Sequence, residues 1–163
     1  MIFIQHIAPN PGYRYFRLTI DKIVSTLTSQ LPIYSWDIYD GSAWTVTTMT
    51  SNSAPSPNVA SMIDAGADAY KTHDGSSATF AQPAGTYASQ VKSPSDWHKL
   101  DVGSGNGFMP TKIRVAWYNT GGYDLTGVDF VLAGSNDDSA WTTLKSWTGQ
   151  TSKTHQTLTE YTI

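Results

Sequence analysis

Hydrophobic and polar residues alternate with a period of two through much of the chain, the pattern of strands whose successive side chains point to opposite faces of a sheet. In residues 13–20, Phe16, Leu18 and Ile20 fall on one face and Tyr13, Tyr15 and Arg17 on the other. Residues 33–39 read as the partner of that strand, bounded by Pro32 and by the turn dipeptide Asp40-Gly41. The threonine-rich stretch 43–50 reads as a further strand and residues 51–58 as loop. Within 59–70, Val59, Met62, Ile63 and Tyr70 stand at mixed helical spacings that Gly66 interrupts, which predicts a short helical turn and no more. Strands are then predicted over 97–102, 112–118, 128–133, 142–147 and 156–163, with glycine-rich turns at 103–107, 121–122 and 134–137 between them. Ile113, Val115 and Trp117 alternate inward, as do Val128, Phe130 and Leu132, and Trp97 and Trp141 are expected to join Trp117 and Phe130 in the core. Short strands at this spacing predict an all-β jelly-roll sandwich of about eight antiparallel strands. Residues 1–163 read as a single domain, with 1–12 as an anchoring arm whose alternating Ile2 and Ile4 could pair with another subunit.

Composition sharpens this picture mainly by exclusion. Only 14% of the 163 residues are charged, against about 25% in an average domain, so Ser, Thr, Asn and Gly must supply the polar surface. Ten Lys and Arg against thirteen Asp and Glu give a net charge of −3 and no basic stripe, so nucleic acid is not an expected partner. Cysteine is absent, which removes disulfides, thiolate zinc sites and cysteine nucleophiles together. The opening Met1–His6 reads as no signal peptide, and no run of about 18 apolar residues predicts membrane insertion. A composition typical of glycan-facing sandwiches without an export signal is reconciled if the chain is made in a host cytoplasm and reaches its partners as a virion component.

The order of segments resembles discoidin-like (coagulation factor 5/8 type C, galactose-binding-like) domains as they occur in bacteriophage structural and tail-fibre proteins. The resemblance runs from residue 13 to about 150. It is carried by Tyr13-Arg-Tyr-Phe-Arg-Leu18, Tyr34-Ser-Trp-Asp-Ile-Tyr39, Ala69-Tyr-Lys-Thr-His-Asp-Gly75 with Thr79-Phe80, and Asp96-Trp-His-Lys-Leu-Asp-Val-Gly103. Its most specific piece is 128–144, where a strand leads into Gly134-Ser-Asn-Asp137 and then Trp141-Thr-Thr-Leu144. There Gly134 and Asn136 suit a tight turn, Asp137 can bond the turn's own amides, and Trp141 with Leu144 is expected to fold back on the core. Phe80 and Asp138 depart from the family pattern, standing where it has Trp and Gly. The resemblance implies a discoidin-like sandwich that binds rather than catalyses.

Asp74-Gly75 through Thr79 resembles the loop that holds a structural Ca2+ in sugar-binding relatives, which makes Asp74 and Thr79 the candidate metal ligands. Ser76 and Ser77 replace the second carboxylate, and a hard cation wants six to eight oxygens, so an Asp-Gly turn tied by hydrogen bonds competes with that reading. Sugar rings stack their C–H faces on exposed aromatics while amides and carboxylates take the hydroxyls. Trp44, Tyr87, Tyr118, Asn119, Tyr123 and Asp124, in or beside predicted loops, are therefore the candidate ligand-binding residues. His6, His73, His98 and His155 are too dispersed for a metal cluster, and Gly103-Ser-Gly-Asn-Gly107 lacks the lysine and helix of a phosphate loop. No Gly-x-Ser-x-Gly elbow occurs, and the spacing of Asp37, Asp64, Asp68, Asp74 and Asp101 predicts no acid–base pair, so no enzyme activity is expected. Two functions stay open. One is a phage tail-fibre or receptor-binding component that recognises a host-surface carbohydrate through loops at one end of the sandwich. The other is a decoration or adaptor protein that binds neighbouring virion proteins and no sugar. In either, the chain is expected to act as a homo-oligomer within a particle.

Overall fold

A computed structural model describes residues 12–24, 33–45, 48–54, 59–62, 69–76, 78–81, 91–119, 127–151 and 154–163. The strands are β1 (Tyr15–Val24), β2 (Ile33–Tyr39), β3 (Val59–Met62), β4 (Val91–Asp101), β5 (Lys112–Trp117), β6 (Gly127–Ser135), β7 (Thr142–Gln150) and β8 (Leu158–Thr162), with a 3-10 turn at Ala69–His73. They form an all-β sandwich of two antiparallel sheets, ordered β3-β4-β1-β6-β7 and β2-β5-β8.

β1 is the centre of the larger sheet because its alternation can be satisfied on both sides at once. Phe16, Leu18 and Ile20 are fully buried, and their rows continue into Leu100 and His98 of β4 and into Leu132 and Phe130 of β6. The smaller sheet answers with Trp36 and Ile38 from β2, Ile113, Val115 and Trp117 from β5, and Tyr161 from β8. Phe130 joins the layers: its ring lies 4.7 Å from Trp147, 4.9 Å from Tyr161 and 5.3 Å from Trp117. Trp117 Nε1 donates to Tyr161 Oη at 3.2 Å, so the polar tips of both rings are paired inside the core. Burial pushes the Tyr161 phenol up to about 12.

Several expectations need correction. Residues 33–39 do not pair with the first strand; β2 lies in the opposite sheet beside β5. Residues 43–50 do not continue as a strand where described. The chain turns at Asp40, whose Oδ1 accepts from the Ser42 and Ala43 amides, and touches back at a Tyr39–Trp44 bridge and at Thr45, whose amide donates to the Ile38 carbonyl. Val59–Met62 is an edge strand paired with β4, and the helical turn comes later, at Ala69–His73. Trp97 and Trp141 are not core residues. Trp97 stands opposite Thr19 on the outer face of the larger sheet, and Trp141 lies under the Arg17 guanidinium at 4.3 Å, both only partly buried. Trp36 supplies ring volume inside instead, and Trp147, partly buried, packs against the core from β7.

The turn after β6 forms as its side chains suggest, with Asp137 Oδ1 accepting from the Ser139 and Ala140 amides at 2.9 and 2.8 Å. Asp138 sits at φ 59°, a left-handed conformation that glycine adopts most readily, and its carboxylate pairs with Lys99. Gly134 has a different role from the expected one. It lies within β6 opposite Phe16, and Tyr13, which turns inward ahead of β1, lays its ring where a Cβ would stand. Gly134→Ala should therefore cost about 1–3 kcal/mol by overpacking. Urea unfolding should show the loss shrinking in a Tyr13→Ala background, and equal losses in both backgrounds would refute the contact as the cause.

Candidate functional site

The outer face of the smaller sheet carries three cross-strand rows. Ser35, Ala116 and Leu158 form one, Asp37, Arg114 and Glu160 the next, and Tyr39, Lys112 and Thr162 the last. Alternation dictates this: with Trp36, Ile38, Ile113 and Val115 inside, the residues between them must face out. The loop end His73, Gly75 and Ser76 walls the face on the β2 side, and Gln156 and Thr157 wall it ahead of β8. Between these walls lies an open cleft of about 360 Å³, floored by the first two rows as far as Arg114.

Arg114 and Asp37 are the charged pair of the floor. Arg114 Nε donates to Asp37 Oδ2 at 2.8 Å, and among the described residues the guanidinium makes no other hydrogen bond. Its plane is held against the Trp44 ring at 4.5 Å, and Trp44 in turn packs on Tyr39 at 5.2 Å. Burial pushes the Asp37 carboxyl up, and the contact with Arg114 opposes that shift without cancelling it.

At the other end of the face, a β-bulge redirects a ring. β2 pairs Ile33 with Trp117 and Ser35 with Ala116, so Tyr34 is the extra residue and leaves the alternation. Its ring stacks on Tyr118 at 5.5 Å and meets Phe80 and His155 edge-on at 5.7 and 5.3 Å. Phe80 is 37% exposed, which is unusual for so large an apolar side chain.

Of the predicted ligand-binding residues, Trp44, Tyr118 and Asn119 fall in this region. Trp44 and Tyr118 are not brought together and do not line the cleft; Trp44 packs on Arg114 and Tyr39, and Tyr118 on Tyr34, at opposite ends of β2, roughly 17 Å apart at ~3.3 Å per residue. The Asn119 amide donates to His155 Nδ1 at 3.2 Å, which fixes the ring beside Tyr118. Tyr87, Tyr123 and Asp124 lie outside the described residues. Asp74 and Thr79 do come together, but as partners of each other: Thr79 Oγ1 donates to Asp74 Oδ2, and the Ser76 amide donates to Oδ1 at 2.8 Å. The contacts described there are those of an Asp-Gly turn tied by its own hydrogen bonds. Among the described residues no group of three or more acidic or histidine side chains is placed to hold a metal.

Sequence reasoning missed Asp37, Arg114 and Ser35 as site residues. The signal was a charged or hydroxyl side chain at the outward positions of two strands whose inward positions are wholly apolar, together with the pairing of those strands, which the alternation does not reveal. It also missed the placement of two histidines. His73 and His98 are buried at 2% and 1% exposure, and neither ring nitrogen of either has a partner among the described residues. His73 packs edge-on against Trp36 at 4.9 Å and forms part of the cleft wall.

Comparison with protein families, with curated proteins and with solved structures finds no match to this chain.

The buried imidazoles set a pH dependence. Desolvation lowers His73 to about 3, with His98 adding to the shift, and lowers His98 to about 4. Above pH ~7 both rings are neutral in folded and unfolded chains, and their contribution to stability is constant. Below the ordinary value of 6.5 the unfolded chain binds protons that the folded chain refuses, so stability falls as pH drops from 6.5 towards 4. The slope should reach about 1.4 kcal/mol per pH unit for each ring. Asp37, raised by burial, acts in the opposite sense around its own lower range. Urea midpoints measured across this window should fall, and His98→Leu should remove about half of the slope. A flat profile would overturn the buried neutral state.

Proposed function

We propose that this chain is a non-catalytic binding module whose ligand is a carbohydrate held in the cleft on the outer face of the β2-β5-β8 sheet. The observation that carries the reading is the floor of the cleft, where a desolvated carboxylate–guanidinium pair stands beside an apolar strip of Ala116 and Leu158, the latter 39% exposed. Sugars need this combination, because a pyranose has an apolar C–H face and a rim of hydroxyls that both donate and accept. The volume of about 360 Å³ is within the usual range of small-ligand sites and suits one or two sugar units. The half-buried rings at the two ends, Trp44 and the Phe80–Tyr118 group, extend the surface for a longer chain.

Among the described residues Asp37 is the one carboxylate lining the cleft, whereas glycoside hydrolysis ordinarily employs two, which favours binding over turnover. The setting in a bacteriophage particle comes from the resemblance of the segments to discoidin-like phage domains. There a weak site is multiplied by many copies, so a shallow open cleft suffices. The site proposed here lies on a sheet face rather than in the loops at the end of the sandwich.

Thr157 is exposed at the rim, so Thr157→Trp fills the cleft without entering the core. On a glycan array at high protein density, the wild type should bind a defined set of glycans. The Trp variant should lose at least roughly tenfold in affinity, about 1.4 kcal/mol, with an unchanged melting temperature. Unchanged binding by the variant would place the ligand elsewhere. No binding by either protein, alongside regular density for the chain on a particle lattice, would replace this reading with that of an adaptor between virion proteins.

A further inference from the structure

We infer that the cleft selects an uncharged vicinal diol, and so neutral hexoses over uronic acids and amino sugars; the inference rests on the carbohydrate reading above and names its ligand class. The argument is one of charge balance in a partly desolvated place. Asp37 and Arg114 cancel one another, and among the described residues no other charged side chain lines the cleft. The next charges outward, Lys112 and Glu160, also pair, at 3.5 Å. On the wall side Asp74 is turned to the Ser76 amide and the Thr79 hydroxyl and does not line the cleft. His73 presents a ring with both nitrogens buried and adds no cation to the wall.

An acidic sugar placed here would compete with Asp37 for a single guanidinium and set two carboxylates side by side where water is partly excluded. An amino sugar would compete with Arg114 for a single carboxylate. In both cases one member of a desolvated pair loses its partner, and that loss is far more costly than exchanging one neutral hydrogen bond for another. A hydroxyl avoids the conflict because it can accept from a terminal nitrogen of Arg114 while donating to Asp37 Oδ1. These two groups lie next to each other across β2 and β5, so adjacent hydroxyls can use both with the Nε–Oδ2 contact intact. The Ser35 hydroxyl, two residues from Asp37 on the same face, supplies a further neutral partner. The apolar ring face then falls on Ala116 and Leu158.

The test is titration of the full chain, followed by NMR, with three sets of probes: methyl hexopyranosides, the corresponding methyl hexopyranosiduronic acids and the 2-amino-2-deoxy analogues. The neutral set should shift resonances of β2, β5 and β8, with affinity insensitive to salt. The acidic and amino sets should bind at least roughly tenfold more weakly. Asp37→Asn should weaken the neutral set and narrow its advantage over the acids. The comparison among probes on the wild-type chain decides the matter even if that variant is unstable. Equal or tighter binding of the uronic acids or amino sugars in the same cleft overturns the inference and leaves the carbohydrate reading intact. Failure of all three sets to bind overturns both.

Discussion

The two sheets are held in register by one cluster of rings. Phe130 on β6 touches Trp147 of its own sheet and Trp117 and Tyr161 of the other, and the buried Trp117–Tyr161 hydrogen bond ties β5 to β8. Aromatic side chains bury more area than any others and have few rotamers, so a contact of this kind sets both the spacing of the layers and the angle between them. The chain has no cysteine, and with no covalent link available this packing must carry the stability. Once β5 is pinned by Trp117, its other face is committed to solvent. Arg114 and Ala116 then become the floor of a surface rather than part of a core.

A second consequence concerns polar groups. Asp37 and Arg114 are partly desolvated because the loop ending at His73–Ser76 and the segment leading into β8 rise on either side of them. Such a pair contributes little to stability, since the cost of desolvation offsets most of the attraction. Its value to the protein is directional: a fixed donor fork next to a fixed acceptor. Trp44 restrains the fork from above, and that is the role the structure gives this ring. His73 and His98, whose ring nitrogens have no partner among the described residues, are a different matter. Buried polar atoms are ordinarily bonded, and His73 and His98 reduce stability by standing neutral in the interior. That cost is tolerable because neither ring is charged in the folded state.

On β1, β5 and β6 the inward face was legible from alternation alone. Phe16, Leu18, Ile20, Ile113, Val115, Phe130 and Leu132 are all buried where a period of two places them. The turn at Asp137 was legible too, because an aspartate two or three residues before free amides bonds them locally wherever it sits. Misreadings arose where a neighbour decides. Trp97 and Trp141 are expected to face inward, but their positions on β4 and beyond β6 point outward, and Arg17 covers one of them. Tyr34 could not be placed, since a bulge shifts one residue of β2 against β5 and only the pairing reveals it. Trp44 and Tyr118, two of the aromatic residues expected as a ligand surface, pack beyond the two ends of β2 and are not among the residues lining the cleft, whose polar floor went unrecognised.

The sequence by itself determined that this is an all-β sandwich, which side chains face inward on its clearest strands, and that no thiol chemistry is available to it. These follow from local rules: the two-residue period, turn chemistry and composition act over a few residues and need no knowledge of partners. The tertiary structure alone decided that β2 lies across the core from β1 rather than beside it. That choice puts Asp37 next to Arg114, residues 77 positions apart in the chain, and it creates the cleft. Alternation specifies a face and is silent about a neighbour, because either sheet would bury Trp36 and Ile38 equally well. The site depends on which neighbour was chosen.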